Sequence, residues 1–230
     1  MSKKRSLPSG DAKVRAVRSM FDAIAPRYDL VNRVMTFGMD VGWRKKAVAS
    51  LGLRDRALVL DVACGTGDFC GAVERTGSRA VGIDMSMGML AAAHTTVPLV
   101  QGDALRMPFG TGCFDAITCG FALRNVADIE ELLVEFARVL KPGGRIAVLE
   151  VSEPNGRLPR ALHSFYFRRM VPLIGGLLSN RDAYSYLPAS TAYLPDRNEL
   201  LELVSTAGFG DAATRPVGLG AAQIITGTNR

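Results

Sequence analysis

The sequence predicts an α/β protein built around a doubly wound, mostly parallel β-sheet. Runs of consecutive apolar residues alternate along the 230 residues with segments in which apolar residues recur at helical spacing. Apolar runs without polar alternation indicate strands buried on both faces, as in a parallel sheet covered by helices. Composition agrees, because 48% hydrophobic and 22% charged residues are typical of a folded globular domain.

The core elements are predicted in alternating order. The predicted strands are residues 56–63, 78–84, 97–103, 114–120 and 145–152. The predicted helices between them are residues 69–76, 85–94 and 129–140. A Lys-Pro-Gly-Gly turn is expected at 141–144. A helix at 198–207 and strand-like segments at 209–214 and 221–227 are expected to close the chain.

A helical cap is predicted before the first strand, over residues 13–55. Apolar residues recur at helical spacing from Lys13, and Pro26 ends the first helix because proline disrupts a continuing helix. Further helices are expected at 28–35 and 41–51. The cap therefore contains three predicted helices.

A second helical segment is predicted late in the chain. Residues 154–195 are rich in aromatic residues, Arg and Leu and show no clear strand, so we expect a helical insertion that covers the substrate. Residues 1–12 are expected to be a loose tail. The remaining residues, 13–230, are predicted to form a single domain.

Simple counts argue against several classes of protein. No run of about 18 apolar residues is present, so no transmembrane helix is expected. The basic start has no apolar stretch behind it, so no secretory signal is expected. The four cysteines form no CxxC pair and only two histidines are present, so we expect no metal site and buried, reduced thiols.

The net charge of +6 is concentrated near the N-terminus. Residues 1–56 carry thirteen Lys or Arg against five acidic residues. Such a basic head indicates nucleic acid, an anionic membrane surface or solubility alone. The head lacks the interleaved aromatic residues of a base-stacking platform, so nucleic acid is not an expected partner.

A glycine-rich loop follows the first predicted strand and opens a helix. Gly65 and Gly67 allow a tight turn in which a ligand can approach bare backbone. Asp61 precedes the loop, and Asp84 ends the second strand, where ribose hydroxyls are bound in doubly wound folds. Asp103 lies at the end of the third strand, where its side chain and the neighbouring backbone N–H can meet an adenine ring.

The chemistry of this loop favours S-adenosylmethionine over a dinucleotide. The third glycine of a G-x-G-x-x-G fingerprint is replaced by Cys70. A carboxylate at Asp61 would repel a pyrophosphate but attract a sulfonium or an ammonium group. Gly120, at the end of the fourth strand, is a small residue where a methyl donor could approach.

The motif order resembles that of the class I S-adenosylmethionine-dependent methyltransferases, with DxAxGTG, GID, GDA and LKPGG in turn. Other segments resemble the signature regions of the ubiquinone/menaquinone biosynthesis C-methyltransferases, over about residues 13–227. They are Tyr28–Asn32 with Gly38 and Trp43, Phe121–Val126, Arg138–Pro154, and Tyr184–Leu187 with Pro195 and Asp196. The chain differs from that family's usual pattern at Val31, Asp40 and Gly120 and within 190–195, which bears on the quinone substrate.

The resemblance implies a Rossmann-like class I methyltransferase fold and S-adenosylmethionine as the cofactor. The implied reaction is methylation of a ring carbon of a polyprenylated quinol, and the short N-terminal head favours demethylmenaquinol to menaquinol. A ring carbon becomes nucleophilic only when an adjacent hydroxyl loses its proton, so the site must stabilise a phenolate. Arg124 is predicted to do so and Asn125 to orient the ring, while Asp29 and Asp40 are candidate carboxylates for the proton.

The remaining candidates fall into two groups. The predicted cofactor-binding residues are Asp61, Gly65, Thr66, Gly67, Asp84, Met85, Asp103, Ala104 and Gly120. The predicted substrate-pocket residues are Tyr28, Asn32, Trp43, Phe121, Tyr184 and Tyr186.

The isoprenoid tail of such a substrate requires an apolar groove or a membrane interface. Residues 157–178 mix four arginines with bulky apolar residues, so this segment could supply both, or it could form an ordinary amphipathic cap helix. We expect a cytoplasmic protein, with peripheral contact at the inner face of the cell membrane as a hypothesis. The sequence leaves a homodimer open.

Three alternatives stand beside this interpretation. The acceptor could be another small phenol or lipid, including the benzoquinol of the ubiquinone pathway. The chain could instead be a non-catalytic or RNA-associated protein that binds S-adenosylmethionine. A nicotinamide-dependent oxidoreductase is disfavoured by Cys70 and Asp61.

Overall fold

The protein folds around one seven-stranded β-sheet. The structure, a computed structural model, describes residues 9–154, 156–179 and 181–230. The strands are β1 (Leu58–Val62), β2 (Arg79–Asp84), β3 (Leu99–Gln101), β4 (Phe114–Gly120), β5 (Leu140–Val151), β6 (Phe209–Val217) and β7 (Ala222–Asn229).

The strand order across the sheet is β3-β2-β1-β4-β5-β7-β6. The first five strands run parallel, whereas β7 is antiparallel to both β5 and β6. The predicted doubly wound, mostly parallel sheet is therefore confirmed. Strand order reverses between β1 and β4, and ligands of such sheets bind at the carboxyl ends of the strands beside that point.

Several strand boundaries differ from the predicted ones by a few residues, and two regions of the sheet show what causes such differences. Strand β3 is only Leu99–Gln101, shorter than the predicted 97–103. The turn expected at 141–144 is a bulge within β5, since Leu140 pairs with Phe114 while Arg145 pairs with Ala116. The two glycines in the bulge let the backbone leave the ladder and return to it.

The N-terminal helices are α1 (Gly10–Ile24), α2 (Tyr28–Met35) and α3 (Met39–Ser50). Helix α2 has the predicted bounds. Helix α1 begins at Gly10, so residues 10–12 are helical rather than part of the expected tail. Residues 1–8, the rest of that tail, lie outside the described residues.

The helices that cover the sheet are α4 (Asp68–Glu74), α5 (Met87–Ala91), α6 (Ile129–Val139) and α10 (Arg197–Thr206). Side-chain caps fix three of their N-termini, because Ser86, Asp128 and Asp196 accept hydrogen bonds from backbone N–H groups of the first turn. Helix α5 ends at Ala91, short of the predicted His94.

The late insertion is helical, as predicted. It contains α7 (Arg157–Phe165), a π-helical turn (Tyr166–Met170), α8 (Val171–Leu178), α9 (Arg181–Ser190) and a short 3₁₀ turn (Thr191–Tyr193). Among the described residues, none of the helices is both long and apolar enough to cross a membrane.

Residues on β1 point alternately to the two faces of the sheet, as strand geometry requires. Leu60 and Val62 pack with α6 and α10 in one core. Val59 packs with α3 and α4 in the other. Asp61 has the parity of Val59, and its side chain is bonded to Cys70 on α4. The alternation along β1 therefore places the side chain of Asp61 on the face of the sheet that α4 covers.

Candidate active site

The glycine loop forms the sharp turn that the sequence predicts. Gly65 and Gly67 have φ of +55° and +90°, in the left-handed region that favours glycine. The N–H of Gly67 donates to the carbonyl of Cys64 at 2.9 Å, and α4 starts at the next residue. A side chain on Gly67 would meet Thr95, since a Cβ atom built there lies 2.6 Å from its Cγ2.

Gly67→Ala is expected to destabilise the protein more than Gly112→Ala does, by at least about 1 kcal/mol of unfolding free energy. Both glycines have positive φ, so both substitutions carry the backbone penalty. Only the first also meets a neighbour, because a Cβ at Gly112 has no described atom within 4 Å. Urea unfolding of both variants measures the difference, and equal losses would mean that the loop adjusts freely around Thr95.

Asp84 organises the backbone of the loop from the end of β2. One carboxylate oxygen accepts the N–H of Gly65 and the other accepts the N–H of Ser86, each at 2.8 Å. Burial raises the pKa of Asp84, although these backbone hydrogen bonds oppose the rise. A carboxylate accepts about four hydrogen bonds, so capacity remains for ribose hydroxyls.

A cavity of about 90 Å³, here called the Asp84 cavity, opens over the carboxyl ends of the strands. It contains six of the nine residues predicted to bind the cofactor. They are Gly65, Asp84, Met85, Asp103, Ala104 and Gly120. Three successive strand ends thus line one cavity, although the hydrogen bond that the Asp103 side chain makes is to the nearby N–H of Leu105.

Asp61, Thr66 and Gly67 are not among the described lining residues of the Asp84 cavity. The Asp61 side chain, which we expected to face the cofactor, is buried beneath the loop. It accepts hydrogen bonds from the hydroxyl of Thr118 at 2.9 Å and from the thiol of Cys70 at 3.4 Å. Its parity on β1 directs it towards α4, so direct contact with the cofactor stays a prediction.

Asp61→Asn is expected to remove a pH dependence of stability. Burial raises the pKa of Asp61 to about 7 from an ordinary value of 3.8. Between these values the folded protein retains a proton that the unfolded chain loses, so the wild-type protein loses stability as pH rises towards 7, by at most about 4 kcal/mol.

Urea unfolding at about pH 5 and about pH 8 tests this expectation. The variant cannot titrate at this position, so it should gain stability relative to the wild-type protein at the higher pH. If the variant and the wild-type protein differed in unfolding free energy by the same amount at both pH values, the Asp61 carboxyl would be ionised throughout this range in the folded protein.

Helices α1 and α2 close the Asp84 cavity from above. Val14, Val17 and Phe21 of α1 line it. Asp22 accepts hydrogen bonds from the Ser86 hydroxyl at 2.6 Å and from the N–H of Gly88 at 2.9 Å, which fastens α1 to α5. This wall was not predicted from the sequence, although α1 combines an apolar stripe that lines the cavity with an acidic residue that binds α5.

Thr66 connects the loop to α2. Its hydroxyl donates to the Asp29 carboxylate at 2.7 Å. His94 lies close to the same carboxylate, with 3.3 Å between its Nδ1 and an Asp29 oxygen. Asp29, a candidate for accepting the substrate proton, is therefore engaged in holding α2 against the glycine loop.

A second cavity of about 210 Å³, here called the Arg124 cavity, lies between α2, α3 and the insertion. Four of the six predicted substrate-pocket residues line it: Tyr28, Asn32, Trp43 and Phe121. Most of the other residues that line this cavity are apolar, so the cavity suits a hydrophobic ring. Tyr186 is not among its described lining residues, and the side chain of Tyr184 lies outside the described part of the chain.

The two cavities adjoin. Phe21, Tyr28 and Phe121 line both of them. Phe121 follows β4 directly and has φ of +57°, an uncommon value for a bulky residue, which turns the chain at this strand end. A small polar ligand in one cavity and an apolar ligand in the other would therefore meet beside the ring of Phe121.

Arg124 lines its cavity as part of a buried ion pair. Only 5% of the residue is exposed, and its guanidinium is bonded to Glu150, which is fully buried near the end of β5. Arg124 Nε and Glu150 Oε2 have no hydrogen-bond partner among the described residues. Glu150 was not predicted from the sequence, although it is the one acidic residue of β5 and follows the apolar run 146–149.

Asn125, predicted to orient the acceptor ring, lines the Asp84 cavity instead. Its amide N–H donates to the carbonyl of Phe121 at 3.0 Å, which fixes the side chain. Its Oδ1 is buried and finds no partner in the described part of the protein. An unpaired acceptor beside a cavity fits an N–H donor of a bound ligand.

Asp40 is a poor candidate for accepting the substrate proton, because its carboxylate is already neutralised. It is bonded to Arg33 and Arg44 and accepts the Thr36 hydroxyl at 2.8 Å. Burial acts to raise the pKa of Asp40, but these partners outweigh it and hold the pKa below its ordinary value. Asp40 lines the cavity as a structural anchor between α2 and α3.

The strand order and the crevice over the carboxyl ends of β1, β2 and β4 define the fold of the class I S-adenosylmethionine-dependent methyltransferases. Solved structures show the same fold. The chain resembles a Thermotoga maritima protein described as an "SAM-dependent methyltransferase, possible histamine N-methyltransferase", with a TM-score of 0.67, 20% identity and coverage of 93% of this chain and 100% of that one. The chain belongs to the ubiE/COQ5 methyltransferase family, whose model matches residues 9–229.

Curated relatives agree with this assignment. A demethylmenaquinone methyltransferase of Roseiflexus sp. is 43% identical, over 97% of this chain and 98% of the relative. A ubiquinone/menaquinone biosynthesis C-methyltransferase UbiE of Geobacter sulfurreducens is 42% identical, over 94% of this chain and 89% of the relative. The protein is therefore an S-adenosylmethionine-dependent methyltransferase.

The residues of the Asp84 cavity fit this cofactor. S-adenosylmethionine carries a positively charged sulfonium and no phosphate, and the cavity contains two carboxylates, from Asp84 and Asp103. Asn125 offers its unpaired Oδ1 to a donor. Gly120 lines the cavity, and glycine is required there because a Cβ would lie 2.8 Å from the ring of Phe69. No cluster of side chains able to hold a metal ion is found among the described residues.

Proposed function

We propose that this protein methylates a ring carbon of a polyprenylated quinol, converting 2-demethylmenaquinol to menaquinol. One observation carries the proposal. A mostly apolar cavity, into which Arg124 is held by the buried carboxylate of Glu150, adjoins the Asp84 cavity at Phe121. The names of the curated relatives support a quinone-biosynthesis substrate, and several of them name demethylmenaquinone.

The residues of the Arg124 cavity suit this chemistry. Loss of a hydroxyl proton to a water molecule places negative charge on the quinol oxygen and on the adjacent ring carbon, and Arg124 stabilises that charge from the cavity wall. When bound, S-adenosylmethionine would supply an electrophilic methyl group, whose bond to sulfur would break as the ring carbon gains it. The ring carbon would then release its own proton to a water molecule, and the ring would regain aromaticity. Tyr28 and Phe121 keep bulk water from the junction.

The apolar character of the cavity leads to two further proposals. The acceptor carries an isoprenoid tail, and the protein works in the cytoplasm in peripheral contact with the inner face of the membrane. A homodimer, which the sequence allows, remains a prediction that size-exclusion chromatography with light scattering tests.

A labelled-methyl assay tests the substrate. Short-chain demethylmenaquinol and a benzoquinol of the ubiquinone pathway are supplied side by side as reduced acceptors. We expect transfer of label to the naphthoquinol ring at a kcat/KM clearly above that for the benzoquinol. Faster benzoquinol methylation would assign the ubiquinone-pathway step, and label on oxygen instead of carbon would contradict C-methylation.

A further inference from the structure

Exposed apolar side chains are concentrated on one side of the molecule. Ten large hydrophobic residues are exposed among those described, and seven of them lie on α2, on the loop after it, at the first residue of α3, or on α7 and α8. We call these seven residues the α2/α8 face. They are Leu30, Val34, Phe37, Met39, Phe165, Leu173 and Leu177.

The α2/α8 face is continuous across the two helical segments. Helix α8 packs against α2. The hydroxyl of Tyr166 donates to the carbonyl of Met35 at 2.7 Å, and the rings of Tyr166 and Phe37 lie 5.8 Å apart. Leu173 and Leu177 are four residues apart on α8, so they share one side of that helix.

The Arg124 cavity reaches the surface within this face. Phe37 and Met39 line the cavity, and both are exposed, with Phe37 at 75%. Tyr166 and Val171 line the cavity from the insertion side. A long apolar chain attached to a ring in the cavity can therefore leave between the loop after α2 and the start of α8.

The charge around this face is positive. Residues 157–179 contain four arginines and no acidic residue. One of the four, Arg160, lies 3.4 Å from the exposed carboxylate of Glu153. Arg169 is exposed between Phe165 and Leu173, four residues from each, and Arg27 is exposed one turn before Leu30. The nearby acidic residues of α2 and α3 are turned inwards, since Asp29 is bonded to Thr66 and Asp40 to two arginines.

We propose that the α2/α8 face is a docking surface for an anionic lipid bilayer. Its apolar side chains enter the acyl boundary, while the surrounding arginines meet lipid phosphates. The acceptor ring then passes from the bilayer into the Arg124 cavity while its tail stays in lipid. This inference rests on the proposed function for the nature of the acceptor but not for the binding itself. The excess of arginine favours a bilayer over a second copy of the same basic face, which would repel it.

Flotation with vesicles of phosphatidylglycerol and phosphatidylcholine tests docking without any acceptor. We expect the wild-type protein to bind anionic vesicles, with binding that weakens as salt rises. The double variant Leu30→Asp/Leu177→Asp should bind at least about tenfold more weakly. The matched control is Val134→Asp, an exposed apolar residue on α6, which packs on the other face of the sheet from α3, and it should bind as the wild type does.

Turnover of a water-soluble and of a vesicle-bound acceptor shows whether the double variant has lost docking alone or has also lost its fold. The double variant should keep the wild-type turnover of a short-chain, water-soluble acceptor and lose at least about tenfold of the turnover of a long-chain acceptor presented in vesicles. The proposal would be overturned if the wild-type protein did not bind anionic vesicles, or if the double variant bound them as well as the wild type. It would also be overturned if the wild-type protein were a dimer and the double variant a monomer, because the face would then be a dimer interface. If neither acceptor is methylated but vesicle binding responds as expected, the proposed function fails and the docking surface stands.

Discussion

Arg124→Ala is expected to lower kcat by about 10²–10³-fold while leaving the affinity for S-adenosylmethionine nearly unchanged. Arg124 lines the apolar cavity and is absent from the described lining of the Asp84 cavity. Removing its guanidinium therefore removes the charge proposed to stabilise the phenolate and leaves the lining of the Asp84 cavity unchanged. Single-turnover kinetics with a short-chain quinol, together with calorimetry of cofactor binding, measure the two quantities separately.

A matched double variant separates catalysis from stability. Arg124→Ala leaves the buried carboxylate of Glu150 without its partner, which is expected to cost about 3–5 kcal/mol of unfolding free energy. Arg124→Met/Glu150→Gln removes both charges and preserves volume, so its stability should return close to that of the wild type. Its kcat should stay as low as that of Arg124→Ala. Recovery of turnover in this double variant would show that Arg124 serves the fold alone.

Asp84→Ala is expected to weaken cofactor binding by about 1–3 kcal/mol, a rise in Kd of up to about a hundredfold. The substitution removes the carboxylate predicted to bind the ribose hydroxyls. It also leaves the N–H groups of Gly65 and Ser86 without their acceptor, so the glycine loop loses its anchor. Calorimetry measures the Kd, and the change in kcat at saturating cofactor should be small by comparison.

S-adenosylhomocysteine provides the control for this variant. It has the same ribose as S-adenosylmethionine but no positive charge at sulfur. If Asp84 acts on the ribose and the loop, both ligands should lose the same factor in affinity. A loss confined to S-adenosylmethionine would contradict this role and would indicate that the carboxylate acts on the sulfonium.

Most of the sheet was predictable from the sequence because its strands are buried on both faces. Nearly continuous apolar runs form most of β1, β2, β4 and β5. This pattern differs from the spacing of apolar residues in an amphipathic helix, so these segments were predicted as strands. The carboxyl ends of β1 and β2 were then predictable as a ligand site, since parallel strands bring their ends to one edge. Four residues of the apolar cavity followed from family motifs.

Other features depend on tertiary contacts that sequence patterns do not encode. The hydrogen bonds of Asp61 with Thr118 and Cys70 are one example, since the sequence does not show that the strand directs this side chain towards α4. Its contact with the cofactor stays a prediction. The walls that α1 and α2 provide depend on long-range hydrogen bonds such as that between Asp22 and Ser86, across 64 positions of the sequence. Glu150 is the exception, because a lone acidic residue ending an apolar strand signals a buried partner.

A crystal structure with S-adenosylhomocysteine and a short-chain demethylmenaquinol analogue would test the central claim most directly. We expect the nucleoside in the Asp84 cavity and the quinol ring in the Arg124 cavity, with the ring of Phe121 beside the point where they meet. The quinol oxygen should face the guanidinium of Arg124. A nucleoside bound elsewhere, or a quinol ring remote from both Phe121 and Arg124, would contradict the account.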